Sequence, residues 1–321
     1  MTRKRILVTL GVLMLLIPSA GCRTGERAEI LYINSYHAGY GSSDEVMAGI
    51  EETLPRSRVR LTTFFMDSKR HPELVESKAA EALRQIERVP PDVIIASDDN
   101  AVKFVVVPHF RDGPIPCVFC GVNWTCEQYG LPTPNVTGML EILPVRETVQ
   151  ALRGSFPDAA RLVVLSENTT SEQTNRKVLV PIFADLGLTT DYLLVDTYEQ
   201  WKEQFRRANA EADMIFLPTN GAIKGWDEPD AKAFVAREIR VPVFTCDDFM
   251  MPYAVFGLTK IAREQGEWAA QAALSILGGE SPGQFAITRN SRTEAWINRA
   301  LARKVGFRPG SELLRRARSL E

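Results

Sequence analysis

Histidine is scarce in this 321-residue chain: only His37, His71 and His109 are present. A nucleophilic triad needs an imidazole beside its Ser or Cys, and three scattered histidines leave little room for that chemistry. A Gly-rich phosphate loop and a dinucleotide fingerprint are missing as well. Paired carboxylates occur at Asp98-Asp99 and Asp247-Asp248, but neighbours on one loop diverge, and nothing fixes the separation that glycoside hydrolysis requires. An enzyme is therefore not expected. Neither sign of charge dominates, with 38 Lys and Arg against 40 Asp and Glu, so no net field draws nucleic acid or an anionic membrane. Low-complexity tracts and long linkers are absent, which excludes domains strung on a flexible tether.

No apolar run reaches the roughly 20 residues that a membrane-spanning helix needs. The most apolar stretch, Ile6 to Pro18, follows Arg3, Lys4 and Arg5 and ends in Ser19-Ala20-Gly21-Cys22. Basic, then apolar, then small is the order of a cleavable export signal, here residues 1–21. The pattern resembles a bacterial lipoprotein signal, in which the cysteine thiol is lipidated before cleavage; Ser19 stands where that family usually has leucine. Cys22 is thus expected as the mature, lipidated N-terminus, on an extracytoplasmic, periplasmic or cell-surface lipoprotein anchored to the membrane by its lipid. About 300 residues remain, more than one hydrophobic core normally organises, so two lobes are expected.

Cysteine is sparse too: besides Cys22 there are Cys117, Cys120, Cys126 and Cys246. Three residues apart on a strand, Cys117 and Cys120 point to opposite faces and do not share a metal easily. No metal site is expected. Buried free thiols are the default reading, and a Cys120–Cys126 disulfide is the alternative in an oxidising compartment.

From Glu29 onward one pattern recurs: a short β-branched run, a polar loop, then an amphipathic segment. Ile30–Ile33, Val59–Phe65 and Val93–Ala96 read as strands, with helix faces at Val46, Ile50 and Leu54 and at Val75, Ala79, Leu83 and Ile86. Ser42, Ser43 and Asp44 are N-cap candidates for the first helix. After Pro132-Thr133-Pro134-Asn135 the cycle restarts, with strands at Leu162–Leu165, Tyr192–Val195, Met214–Leu217 and Val241–Phe244. The tail reads as a helix from Gly266 to Leu277, a strand at Phe285–Thr288 and a last helix from Thr293. Alternation of this kind predicts an α/β fold of two doubly wound parallel-sheet lobes joined by a hinge.

In open parallel sheets ligands bind beyond the carboxyl ends of the strands. The residues there are Asn34, Ser35, Tyr36 and His37; Asp98, Asp99 and Asn100; Gly121, Val122 and Asn123; Glu167, Asn168, Thr169 and Thr170; Thr219 and Asn220; and Asp247 and Asp248. They supply amide, hydroxyl and carboxylate groups for a small ligand. Competing readings stay open. Ser97 with Asp98 and Asp99 also makes a helix N-cap, with Asp99 within reach of Lys103; Asp247 and Asp248 also make a solvated turn; Tyr36 also suits a core. Five of these positions are acidic and none is Lys or Arg, which predicts a ligand that is neutral, zwitterionic or amine-bearing.

The segments Ile30–His37, Val93–Phe104, Cys120–Asn123, Asn135–Gly138 and the tail around Ala269–Gly279 resemble the extracytoplasmic substrate-binding proteins of ABC transporters with a type I periplasmic-binding fold. The nearest branch includes tryptophan- and tyrosine-binding lipoproteins and sensor-kinase input domains. Carried over, the resemblance assigns all the strand-end residues named above to the two sides of one ligand cleft. Ser166-Glu167-Asn168 departs from the small loop usual in the amino-acid-binding members, which argues against an aromatic amino acid. The implied lobes are residues 29–135 with 255–284 and 136–254 with 285–310. The implied function is capture of a small organic ligand and delivery to an ABC permease, with no cofactor; docking on a sensor kinase is the alternative.

Overall fold

A computed structural model describes residues 27–320. Cys22 and the expected export signal lie outside the described residues. The first sheet contains β1 (Ala28–Asn34), β2 (Val59–Phe65), β3 (Val93–Ser97), β4 (Cys117–Asn123) and β5 (Val136–Glu141), all parallel and ordered β5-β4-β3-β1-β2. The helical segments between them are α1 (Gly41–Thr53), α2 (Val75–Arg88), and α3 (Asp98–Ala101), which runs through a π-helical turn (Val102–Val106) into α4 (Val107–His109). Both faces of this sheet are covered, and the strands alternate accordingly. Ile30, Tyr32, Val93, Ile95, Val118 and Cys120 enter one apolar core; Leu31, Ile33, Ile94, Ala96, Cys117 and Phe119 enter the other. Cys117 and Cys120 thus lie on opposite faces, and Cys117, Cys120, Cys126 and Cys246 are all buried free thiols.

The second lobe begins with α5 (Val145–Arg153), followed by β6 (Arg161–Glu167), α6 (Thr170–Asp185), β7 (Thr189–Val195), α7 (Tyr198–Glu211), β8 (Met214–Phe216), α8 (Glu228–Glu238), β9 (Val243–Thr245) and β10 (Phe256–Lys260). The chain then returns to the first lobe for α9 (Arg263–Leu277) and β11 (Thr288–Arg289), which pairs with β5. It ends in the second lobe with β12 (Thr293–Asn298), α10 (Arg299–Val305), α11 (Ser311–Arg316) and β13 (Arg318–Leu320). The second sheet is ordered β13-β12-β10-β9-β8-β6-β7, parallel except where β12 meets β10.

The α/β architecture with two parallel-dominated sheets agrees with the sequence reading, and three boundaries differ from it. Val136–Glu141 belongs to the first sheet, Phe256–Lys260 to the second, and Thr288–Arg289 to the first. The chain crosses at Ile142–Pro144, Ile261–Ala262 and Asn290–Arg292, segments of two or three residues that look like ordinary connections between elements. The expected helix from Thr293 is instead strand β12, antiparallel to β10, and the helix starts only after Asn298, whose side chain caps it. Ser42, Ser43 and Asp44 do not cap α1. Its N-cap is Tyr40, and Asp44 instead accepts the Gly39 N–H.

The crossings are stitched together. Asn290 Oδ1 accepts the Ile142 N–H at 2.7 Å while its Nδ2 donates to the Ile142 carbonyl at 3.2 Å, and the Ile261 N–H donates to the Arg292 carbonyl at 3.2 Å. In the first lobe, α9 lies so close to α1 that a Cβ on Gly266 would sit 1.9 Å from the Val46 carbonyl oxygen. Gly266→Ala is therefore expected to force the helices apart and lower stability by about 1–3 kcal/mol, read as a lower denaturation midpoint at unchanged m-value.

Candidate functional site

The carboxyl ends of both sheets face each other across a cleft, and the backbone there is strained. Three non-glycine residues take left-handed backbone at consecutive strand ends: Asp67 after β2 (φ 52°), Asp98 after β3 (φ 66°) and Trp124 after β4 (φ 62°). A fourth, Asp112, lies in the loop before β4. Such conformations cost roughly 1–3 kcal/mol each and persist where surrounding structure enforces them. At Asp98 the enforcement is visible. Gly121 also has positive φ, and a Cβ there would lie 3.2 Å from an Asp98 carboxylate oxygen, so glycine leaves the space that the carboxylate uses.

The deepest part of the cleft is a cavity of about 40 Å³, room for about three waters. Tyr36, Tyr40, Lys69, Asp98, Asn123 and Glu141 line it from the first lobe. Ser171, Glu172, Asn175, Thr219, Asp247 and Lys260 line it from the second. Towards solvent lies a larger space of about 680 Å³, bordered by Asn100, Phe104, Arg70, Asn168, Thr169, Thr170 and Gly221–Lys224. Tyr36, Lys69 and Ser171 border both spaces and stand between them.

Two buried lysines dominate the electrostatics. Lys260 Nζ lies 2.8 Å from Asp247 and 3.0 Å from Glu141, and these carboxylates outweigh the burial that opposes its charge, holding the ammonium well above its ordinary range. Lys69 reaches across the cleft to Glu167 and is likewise raised against the effect of burial. Asp98 stands apart: among the described residues its carboxylate accepts no hydrogen bond and joins no ion pair. Burial, with the Glu141 carboxylate adding to it, pushes Asp98 up to about 8. Glu172 is also raised by burial, and is held by Asn175 at 2.7 Å and Tyr192 at 2.9 Å. Thr219 Oγ1 is buried without a partner.

Of the strand-end residues named from sequence, Tyr36, Asp98, Asn123, Thr219 and Asp247 border the inner cavity, and Asn100, Asn168, Thr169 and Thr170 the outer one. The others lie elsewhere, for identifiable reasons. Asn34 accepts the Tyr36 N–H and the Ser43 hydroxyl; Ser35 donates to the Ser97 carbonyl and accepts the Ala101 N–H. His37 lies 3.4 Å from Asp67, with its pKa lowered by burial and then by Arg70. Asp99 is turned inward, accepting from Asn123 Nδ2 and the Tyr129 hydroxyl at 2.7 Å each, not pairing with Lys103. Val122 is in the apolar core because the β4 bulge after Cys120 turns it inward, and Gly121 donates its N–H to Gln265. Glu167 is sealed behind Lys69, Asn220 borders neither cavity, and Asp248 is exposed with its carboxylate on the Phe249 N–H.

Sequence reasoning missed Tyr40, Lys69, Glu141, Ser171, Glu172, Asn175 and Lys260. The rule that found the others also reaches three of these, since Lys69, Glu141 and Lys260 sit at the carboxyl ends of β2, β5 and β10. The expectation of a cleft without Lys or Arg is thereby corrected.

The residues 40–320 match the family model described as ABC transporter substrate binding protein. The chain belongs to that family. Its members have a substrate-binding, non-enzymatic role, and they work outside the cytoplasm. The tyrosine-binding protein of Clostridioides difficile is 24% identical over 172 residues, 52% of this chain and 48% of that protein, so the chain spans about half the length of the curated relative it matches. Among solved structures, the ABC domain in complex with L-Trp from Streptococcus pneumonia superposes with TM-score 0.73 at 16% identity, covering 92% of this chain and 100% of that one. The ligand-free, open structure of a substrate-binding protein with adhesive properties from Clostridium difficile gives TM-score 0.66 at 14% identity, covering 92% and 99%. These likenesses establish a type I periplasmic-binding fold. Within the substrate-binding protein, Gly279-Glu280-Ser281-Pro282-Gly283 spells a nucleophile elbow, but it forms a turn after a helix with the Ser281 hydroxyl on the Pro134 carbonyl. Among the described residues, no three His, Cys, Asp or Glu side chains converge on a metal site, and no helix is long and apolar enough to cross a membrane.

The raised Asp98 carboxyl means that the folded protein holds a proton there that the unfolded chain has released, so this group's contribution to stability falls as pH rises from about 4 to 8. Asp98→Asn is expected to be more stable than wild type at pH 8, with the gap closing towards pH 4, in denaturant titrations across that range.

Proposed function

We infer that the chain is a lipid-anchored solute-binding protein that captures a small ligand bearing an ammonium group between its lobes and delivers it to an ABC permease. The observation that carries this reading is the unpartnered Asp98 carboxylate facing the inner cavity. Two other carboxylates there, Glu141 and Asp247, share a single lysine. An ammonium placed at Asp98 gains a charge-assisted hydrogen bond and relieves the repulsion from Glu141; an anion there would raise the energy. Tyr36 and Tyr40 line the same cavity.

The relatives named for tyrosine and bound to tryptophan make an amino acid the ligand class to test first. Glu167, whose presence argued against an aromatic amino acid, is occupied by Lys69 and adds no free negative charge to the cleft. The outer space, within the range of roughly 300–1,000 Å³ of ligand pockets, accommodates the bulk of such a molecule once the lobes part. Closure about the three crossings would then complete the site and create the surface that a permease reads. Delivery to a permease follows the family; docking on a sensor kinase has no comparable support.

Titration calorimetry with L-tyrosine and L-tryptophan tests the ligand reading. Asp98→Asn is expected to weaken binding by about 10- to 100-fold. Binding displaces the Asp98 proton, so wild-type affinity should rise about tenfold per pH unit between pH 6 and 7 and level off above about 8. Affinity insensitive to both pH and this substitution refutes the ammonium assignment. The anchor is tested separately by fractionation: Cys22→Ser is expected to yield unprocessed or soluble protein, and membrane-retained mature protein refutes it.

A further inference from the structure

Lys69 holds its ammonium in a cage apart from Asp98. Its Nζ lies 4.8 Å from the ring centroids of both Tyr36 and Tyr40, and its charge is met by Glu167 of the opposite lobe. Both partners are buried, with side-chain exposures of 5% for Lys69 and 0% for Glu167. Two aromatic faces and one carboxylate around a desolvated cation form the arrangement by which proteins bind free alkylammonium groups.

Each side of this contact is held in place by its own lobe. In the first lobe, Met66, Asp67 and Ser68 continue to pair with Asn34, Tyr36 and Ser35 beyond the end of β2, and the Ser68 hydroxyl donates to the Ser35 carbonyl at 2.6 Å. In the second lobe, the other Glu167 oxygen accepts the Ala222 N–H at 2.6 Å. A Cβ on neighbouring Gly221 would sit 2.6 Å from the Tyr40 ring and 3.4 Å from Lys69 Cδ. The second lobe thus closes on the lysine stem as on a bound molecule.

We propose that Tyr36, Tyr40 and Glu167 form an alkylammonium subsite which Lys69 fills from within the chain, drawing the lobes together without cargo. This goes beyond the solute-binding reading and holds whatever the cargo is. Cargo then occupies the cleft beside Lys69, and the subsite becomes available to external cations only when the lysine is removed.

Small-angle X-ray scattering of exhaustively dialysed protein, with thermal melting in parallel, tests the proposal. Wild type is expected to scatter as the compact form. Lys69→Ala should shift the closed-to-open ratio by roughly tenfold or more towards open. Propylammonium chloride, which replaces the missing stem and charge, should restore compactness and raise Tm, whereas sodium chloride at equal ionic strength and 1-propanol should not. Lys69→Met keeps the apolar stem without the charge, is expected to open too, and decides the matter if the alanine variant does not fold. An open wild type, a Lys69→Met protein as compact as wild type, or an opened Lys69→Ala protein with no response specific to propylammonium overturns the proposal.

Discussion

Lys260 is buried where β10 leaves the second lobe, and its ammonium is shared between Glu141 at the end of β5 and Asp247 after β9. A largely buried ion cluster is costly to assemble and costlier to break, since removing one partner from a buried pair typically destabilises by about 3–5 kcal/mol. Because Glu141 and Lys260 immediately precede two of the three crossings, this cluster fixes the lobes' relative position at the hinge end of the cleft. The stitching through Asn290 acts on the same segments. Binding chemistry further out, at Asp98 and Lys69, takes its geometry from that fixed end.

The same cluster sets the cleft's polarity. Five carboxylates and two ammonium groups border or close the inner cavity, yet most are neutralised by one another or hydrogen-bonded. What remains for a ligand is a sparse set: one raised carboxylate and one unpartnered threonine hydroxyl. Specificity in such a site comes from the few groups left unsatisfied, because satisfied groups have no further interaction to offer.

Much of the architecture was legible because the physics behind it is local. The short β-branched runs of β1, β3 and β6 are buried on both faces, and period-three-to-four helix faces follow them. β12 was misread because Thr293–Asn298 is too short for periodicity to discriminate helix from strand, and its pairing with β10 is a tertiary fact. The crossings were not distinguishable because their segments are two or three residues long and read like any other loop between a strand and a helix. Within the cleft, Asp98 and Tyr36 were accessible to the strand-end rule. Asp99 and Val122, one position away from cavity-lining residues, were not separable from them, since a bulge and a left-handed residue decide which way each side chain turns. Lys69 lies in the loop after β2, a strand end that the candidate residues did not include.

The chain's threefold passage between lobes also governs how it comes to be folded. The first sheet is finished only when Thr288–Arg289 reaches Met139–Leu140, and one face of its core waits for α9. The second sheet needs β12 and β13 from the final residues. Both cores thus depend on contacts between segments far apart in the chain, and such long-range closure is slow. Slow closure keeps the polypeptide threadable for longer, which suits a protein whose working compartment lies across a membrane from its site of synthesis.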